Sequence, residues 1–130
     1  MGTNKGKLVI ACVVKDGKTS KFSSPKLAED IDFKANIIDF GDIFVKRDGV
    51  SMLDIEYTDG RVPEITDLTY SIAITFKSGK TSMVRVKDKG KFVAEFNTPK
   101  HEDLFQKFET ERGFIFINMD DISVIDFVNV

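Results

Sequence analysis

Residues 10–20 read Ile10-Ala-Cys-Val-Val-Lys-Asp-Gly-Lys-Thr-Ser20, and residues 72–82 read Ile72-Ala-Ile-Thr-Phe-Lys-Ser-Gly-Lys-Thr-Ser82. Seven of these eleven positions are identical, without a gap. Farther along the chain, residues 41–55 match residues 113–127 at six of fifteen positions. Ser24-Pro25-Lys26 and Thr98-Pro99-Lys100 form a third match between these blocks. Three matches in the same order indicate an internal duplication of the chain.

Each repeated block begins with a predicted β-hairpin. Asp16-Gly17 and Ser78-Gly79 stand between two strand-like runs, and glycine supplies the positive φ that a tight hairpin turn requires. Apolar residues alternate with others over residues 70–76, which is typical of a strand with one buried face. Residues 8–14 are apolar throughout and predict a strand that is buried on both faces.

A short helix is predicted after each hairpin. Ser24 and Thr98 are N-cap candidates, and each is followed by a proline at the first helical position. Apolar residues with helical spacing follow in both halves, namely Leu27, Ile31, Ala35 and Ile38, and then Leu104, Phe105 and Phe108. A second hairpin is predicted next, with turns at residues 47–49 and 119–121. The predicted fold class is mainly β, a β-rich α+β fold of two ββαββ units with pseudo-two-fold symmetry and a sheet-sandwich or barrel-like core.

The duplication also predicts the domain organisation. We expect residues 1–130 to form a single domain, with a first half at 8–57, a linker at 58–67 and a second half at 68–130. Asp59-Gly60 and Pro63 mark the linker as turn-rich. Halves of this size would be marginally stable alone, so a shared core is expected.

Composition limits the class of protein. Hydrophobic residues make up 42% and charged residues 31% of the 130 residues, which is typical of a folded, soluble domain. No apolar run approaches the length of a membrane span, and no signal peptide is recognisable, so a cytoplasmic location without membrane association is expected. The single cysteine, Cys12, cannot form an internal disulfide.

The sequence contains no recognisable catalytic motif, and we predict neither an enzyme nor a cofactor. The Gly-Lys-Thr triplets lack the first glycine and the following helix of a phosphate-binding loop. Five aspartates are the weak candidates for a divalent metal, which carboxylate oxygens bind: Asp48, Asp54, Asp120, Asp121 and Asp126. An enzymatic alternative would depend on Asp48, Asp120 and Asp121, although turn or surface aspartates explain all five without a function.

Charge is distributed unevenly, although the net charge is only −2. The first hairpin of each half is rich in lysine, and the remainder of each half is acidic. The candidate anion-binding residues are Lys15, Lys18, Thr19, Lys77, Lys80, Thr81, Arg85 and Lys87. A low net charge argues against nucleic acid as the partner.

The sequence therefore favours a non-enzymatic binding or assembly module that self-associates as a homo-oligomer or docks on a protein partner. Segregated charge motivates this prediction, together with outward-facing apolar residues expected in the Ile-Phe-Val block at residues 43–45 and the Ile-Phe-Ile block at residues 115–117. The alternative is a binder of a small anionic ligand, such as a nucleotide, held between the two Lys-Thr-Ser hairpins.

Overall fold

Antiparallel strands make up most of the structure. The computed structural model describes residues 8–58, 70–86, 90, 93–94 and 105–128, and strands account for 61% of these residues. In chain order the strands are β1 (Leu8–Val14), β2 (Thr19–Ser24), β3 (Ile37–Asp39), β4 (Phe44–Lys46), β5 (Val50–Tyr57), β6 (Tyr70–Phe76), β7 (Thr81–Val86), β8 (Phe105–Glu109), β9 (Gly113–Asn118) and β10 (Ile122–Val128). The prediction of a mainly β fold is confirmed.

The strands form three sheets, none of which closes on itself in the described part of the chain. A five-stranded sheet has the order β2-β1-β5-β9-β8, a three-stranded sheet has the order β10-β6-β7, and β3 pairs with β4. The five-stranded sheet thus combines three strands from residues 8–57 with two from residues 105–118. A single bridge between Val86 and Thr110 connects β7 to the end of β8.

The first hairpin of each half has the predicted turn. Gly17 and Gly79 have φ values of 95° and 93°, which side chains with a Cβ rarely adopt. The N–H of Gly17 donates to the carbonyl of Val14, and the N–H of Gly79 donates to the carbonyl of Phe76, each at 2.9 Å. Local turn chemistry is therefore sufficient to position these two hairpins.

Each hairpin also supplies the central strand of a three-strand group. In β1, Ile10 lies between Phe22 of β2 and Ile55 of β5. In β6, Ile72 lies between Val84 of β7 and Phe127 of β10. The pairing of β1 with β5 is interrupted by a register shift near Val14, and that of β10 with β6 by one near Ile122.

The five-stranded sheet is covered on both faces. On one face, Ile10, Leu53 and Phe116 pack with Ile38 and Phe40 from the β3–β4 region, in what we call the first apolar cluster. On the other face, Met52, Ile115 and Ile117 pack with Ile72, Ile74 and Phe76 of the three-stranded sheet, in the second apolar cluster. Successive side chains of β9 point to opposite faces of the sheet, and they therefore contribute to both apolar clusters. The strand β1 is less uniform than predicted, since Val9, Ala11 and Val14 are only half-buried.

The predicted helix after Pro25 is wrong. The structure has one 3-10 turn at Ala28–Asp30, followed by the strand β3. The hydroxyl of Ser24 accepts from the N–H of Lys26 at 3.1 Å and donates to the carbonyl of Phe40 at 2.6 Å, but no α-helix follows for it to cap. The apolar side chains in this segment reach the first apolar cluster from an extended chain, so tertiary packing overrides the apparent helical spacing.

The predicted helix around Phe105 and Phe108 is also wrong, because both residues belong to β8. Residues three apart share one face of a helix but lie on opposite faces of a strand. Phe105 packs in the first apolar cluster and Phe108 in the second, so a strand covered on both faces explains the spacing. The proposed cap at Thr98 and the side chain of Leu104 lie outside the described residues.

The second predicted hairpin of each half has the expected turn but different strand partners. Arg47–Gly49 and Met119–Asp121 are 3-10 turns. Among the described residues, β4 pairs with β3 rather than with β5, and β9 pairs with β5 and β8 rather than with β10. Each turn therefore carries the chain from one sheet to another. In the described part of the chain, five strands lie within residues 8–57 and five within residues 70–128, so the predicted ββαββ pattern is not found.

Candidate functional site

The two lysine-bearing hairpin turns lie against each other. A Cβ at Gly17 would be 3.2 Å from the hydroxyl oxygen of Ser78 and 3.6 Å from the Cβ of Lys80. Residues 16–18 and 78–80, which we call the hairpin tips, therefore form one continuous surface. Lys18 and Lys80 are both exposed on it.

The predicted basic residues are only partly gathered at the hairpin tips. Lys15 Nζ lies 3.5 Å from the Asp121 carboxylate, and Lys18 Nζ lies 4.0 Å from the Asp16 carboxylate. Thr81 Oγ1 is 3.1 Å from Thr75 Oγ1 on the neighbouring strand. Two further candidates, Thr19 and Lys77, are exposed. Arg85 belongs to β7, and Lys87 lies outside the described residues.

The five candidate aspartates occupy different environments. Asp121 accepts a hydrogen bond from the Ser51 hydroxyl at 2.9 Å, in addition to the ion pair with Lys15. The other members of the set are Asp48, Asp120 and Asp126, which are exposed, and Asp54, which is half-buried on β5. Within residues 8–58, 70–86, 90, 93–94 and 105–128, no three His, Cys, Asp or Glu side chains are grouped so as to hold a metal ion.

Asp54 lies in a polar cleft that the sequence did not predict. This cleft has a volume of about 290 Å³ and contains two ion pairs, Arg85 with Glu111 and Arg112 with Glu56, each at 3.5 Å. Burial raises the pKa of Asp54, and the nearby Glu56 carboxylate raises it further, while Arg112 and Lys21 act in the opposite direction. The cleft therefore holds a carboxyl group whose raised pKa disfavours ionisation. The charges of the two ion pairs around it largely compensate each other.

No local signal in the sequence could have revealed this cleft. Its charged residues come from β5, from β7 and from the turn between β8 and β9, which are brought together only by strand pairing. Asp54 was predicted as a metal ligand and Arg85 as an anion-binding residue. Glu56, Glu111 and Arg112 were not predicted as site residues.

Cys12 is not arranged as a nucleophile. It is buried within β1, and burial raises the pKa of its thiol to about 11. The thiolate is the reactive form of cysteine, and this pKa leaves very little of it near neutral pH. The residue acts as a small apolar side chain of the first apolar cluster.

The most distinctive surface is the outer face of the β3–β4 hairpin. The inner side chains Ile38 and Val45 are buried, whereas Ile37 and Phe44 point outward and are exposed. Phe44 is 67% exposed, which is unusual for so large an apolar residue. Ile43, next to Phe44 in the chain, is also exposed.

An apolar groove lies between this hairpin and the first hairpin of the chain. It has a volume of about 460 Å³ and is lined by Val14 and Phe22 on one side and by Ile43, Phe44 and Val45 on the other. In the described part of the chain, β4 pairs only with β3, so its second edge is open beside the groove. The strand β10 likewise pairs only with β6 among the described strands.

Comparison with known proteins gives no independent assignment of these surfaces: the chain matches no protein family model, no curated protein and no solved structure. Among the residues that the structure describes, no helix is long and apolar enough to cross a membrane.

Proposed function

We propose that this protein is a non-enzymatic assembly module, which self-associates or docks on a protein partner. The observation that carries this proposal is the outer face of the β3–β4 hairpin, where Ile37 and Phe44 are exposed to solvent, with the exposed Ile43 immediately before β4. Large apolar side chains grouped at a surface are typical of protein interaction sites. Burying them in an interface would remove apolar area from water, the main driving force of protein association.

The open strand edges support the same proposal. An unpaired edge presents N–H and C=O groups that are free to pair with a strand of another molecule. The edges of β4 and β10 have no second partner among the described strands, and each carries an exposed apolar residue, Phe44 and Val124. The strand β4 carries one exposed lysine, Lys46, a residue type that commonly protects an edge against pairing, whereas β10 carries none.

We further infer that the single domain is a duplication of a five-strand unit, with halves at residues 8–57 and 68–130. Support comes from equivalent pairs: Ile10 pairs with Phe22 and Ile55, and Ile72, which follows it by 62 positions, pairs with Val84 and Phe127. The N–H groups of Lys15 and Lys77 donate to the carbonyls of Gly49 and Asp121, which also correspond in the aligned blocks. A cytoplasmic location is part of this proposal and fits the free, buried Cys12.

Sedimentation velocity tests the assembly proposal. The wild-type protein, studied between about 1 and 100 µM, a range in which weak interfaces dissociate, should sediment as a multimer at the higher concentrations. Phe44→Ser should shift the equilibrium toward the monomer. Met83→Ser is the matched control, because Met83 is 64% exposed but lies on β7, away from the β3–β4 hairpin. A wild-type protein that stays monomeric and captures no protein partner would contradict the proposal.

The second candidate function is binding of a small anionic ligand at the hairpin tips. The contact of Gly17 with Ser78 favours it, since this contact brings the turns that carry Lys18 and Lys80 side by side. Lysine side chains near one another attract phosphate or carboxylate groups. Ion pairs of Lys15 and Lys18 with aspartates reduce this attraction.

Charge reversal separates the two candidate functions. Lys18→Glu with Lys80→Glu should abolish retention of a nucleotide if the hairpin tips bind it, and should leave the oligomeric mass unchanged. If the assembly proposal is right and the ligand proposal is wrong, isothermal titration of ATP into the wild-type protein gives no binding heat above dilution.

A further inference from the structure

We propose that β4 of one molecule pairs in antiparallel fashion with β10 of a second copy of this chain. The inference deepens the assembly proposal and rests on it, because it names the two edges that meet and the register in which they pair. Both edges are open in the described part of the chain. Because each chain carries both edges, the partner that offers β10 to β4 is another molecule of the same sequence.

The pairing of β9 with β5 within one chain provides the template. There, Ile117 lies opposite Met52, Phe116 opposite Leu53 and Ile115 opposite Asp54. In the aligned blocks, residues 41–55 correspond to residues 113–127, so β9 corresponds to β4 and β5 corresponds to β10. The strand β9 of the second half thus completes the first half, whereas β4 of the first half has no equivalent contact among the described residues.

Transferring the register to the open edges gives specific partners. Val45 would lie opposite Val124, Phe44 opposite Ile125 and Ile43 opposite Asp126. These pairs place two apolar residues of β4, and Ile43 immediately before it, next to β10, as β9 does next to β5. Since a shift of one residue would turn every side chain to the other face, the apolar pattern selects this register.

Differences in exposure support this correspondence. Phe44 is 67% exposed, whereas the corresponding Phe116 is 8% exposed and packs in the first apolar cluster. Val124 is 57% exposed, whereas the corresponding Met52 is 3% exposed. The two residues that would become buried in the proposed contact are therefore exposed in the single chain.

The apolar groove supplies an independent observation. Met52 belongs to the first half, but it packs together with Ile74 and Phe76 of the second half in the second apolar cluster. Ile74 and Phe76 correspond to Cys12 and Val14, which line the open groove of the first half. Val124 corresponds to Met52, so in the proposed pair Val124 of the neighbouring molecule enters this groove. The groove of about 460 Å³ is large enough for that side chain.

The two edges are different surfaces, so the contact is heterologous and each molecule can use both edges at once. A variant blocked at one edge should therefore still pair, through its intact edge, with a different molecule whose complementary edge is also intact. Phe44→Lys places a charge on β4 and leaves β10 intact, while Val124→Lys places a charge on β10 and leaves β4 intact. Both positions are exposed in the single chain, so neither variant should fail to fold.

The test mixes these two variants. Each alone should be monomeric, with its apparent dissociation constant raised about tenfold or more, because β4 and β10 must both be intact for identical chains to pair. The equimolar mixture should form a one-to-one dimer in sedimentation velocity, since the intact β10 of Phe44→Lys meets the intact β4 of Val124→Lys. Met83→Lys is the charge control and should assemble like the wild-type protein.

Two outcomes would overturn the inference, and they differ from failure of the assembly proposal. If the wild-type protein assembles and both lysine variants assemble equally well, the interface lies elsewhere. If both variants are monomeric but their mixture is monomeric too, Phe44 and Val124 do not belong to complementary edges. A monomeric wild-type protein would instead refute self-association itself.

Discussion

Phe44 and Phe116 occupy corresponding positions in the aligned blocks, yet Phe44 is 67% exposed and Phe116 is 8% exposed. The difference follows from their neighbours, because β9 is held between β5 and β8 while β4 pairs with β3 alone in the described part of the chain. The same residue type thus contributes to the core in the block at residues 113–127 and to the surface in the block at residues 41–55. This asymmetry is the physical basis of the proposed assembly.

Gly113 should be essential for the pairing of β5 with β9. A Cβ at this position would overlap the carbonyl oxygen of Ile55, and a backbone atom in the centre of a sheet cannot move aside. We expect Gly113→Ala to lower the free energy of unfolding by about 3 kcal/mol, at the upper end of ordinary substitutions. Urea denaturation measures this change.

Gly49→Ala is the control for this substitution, because a Cβ at Gly49 would meet no atom within 4 Å. It should change the free energy of unfolding by less than about 0.5 kcal/mol. Equal stability of Gly113→Ala and the wild-type protein would show that the close approach of β9 to β5 is incorrect.

Asp54 should make stability depend on pH. Burial, and then the Glu56 carboxylate, raise the pKa of Asp54 in the folded chain, so its ionisation is less favourable there than in the unfolded chain. The contribution of Asp54 to the free energy of unfolding therefore falls as the pH rises from the ordinary pKa of an aspartate through the raised pKa of Asp54. Asp54→Asn should be more stable than the wild-type protein at neutral pH, with the difference shrinking toward about pH 3.

Thermal unfolding at several pH values measures the effect of Asp54→Asn. Asp48→Asn serves as the control for the change from aspartate to asparagine, since Asp48 is exposed in the turn at Arg47–Gly49. A loss of stability in Asp54→Asn at neutral pH would mean that the ionised carboxylate is stabilised by Arg112 more than burial disfavours it.

Cys12 should react very slowly with thiol reagents in the native protein. Its side chain is buried, and with a pKa of about 11 only about one molecule in a thousand carries the thiolate at pH 8. We expect labelling by an aromatic disulfide reagent, followed by absorbance, to be about 100-fold or more slower than in denaturant. Rapid labelling of the native protein would place Cys12 at an accessible surface instead.

The sequence predicts the local features of this fold better than its long-range ones. The turns at Gly17 and Gly79 and the strands that flank them were predicted correctly, because a glycine with positive φ and alternating apolar residues act over only a few positions. The pairing of β9 with β5 could not be predicted, since it joins residues about sixty positions apart through packing alone.

The helix predictions failed for a reason that Phe105 and Phe108 illustrate. Their spacing fits a helix, but it also fits a strand that is buried on both faces, and only the presence of apolar clusters on both sides of β8 decides between these structures. The candidate site shows the same limit. Lys18 and Lys80 were expected to meet through the duplication, whereas the polar cleft around Asp54 arises from strands whose partners the sequence does not specify.

Native mass spectrometry of the freshly purified protein is the most direct test of the proposed self-association. We expect a defined multimer whose mass is a whole multiple of the 14.6 kDa chain, without added mass, and we expect Phe44→Lys to convert it to the monomer. A bare monomer at every concentration would contradict self-association. A monomer that retains an anion of a few hundred daltons would favour the ligand-binding alternative at the hairpin tips.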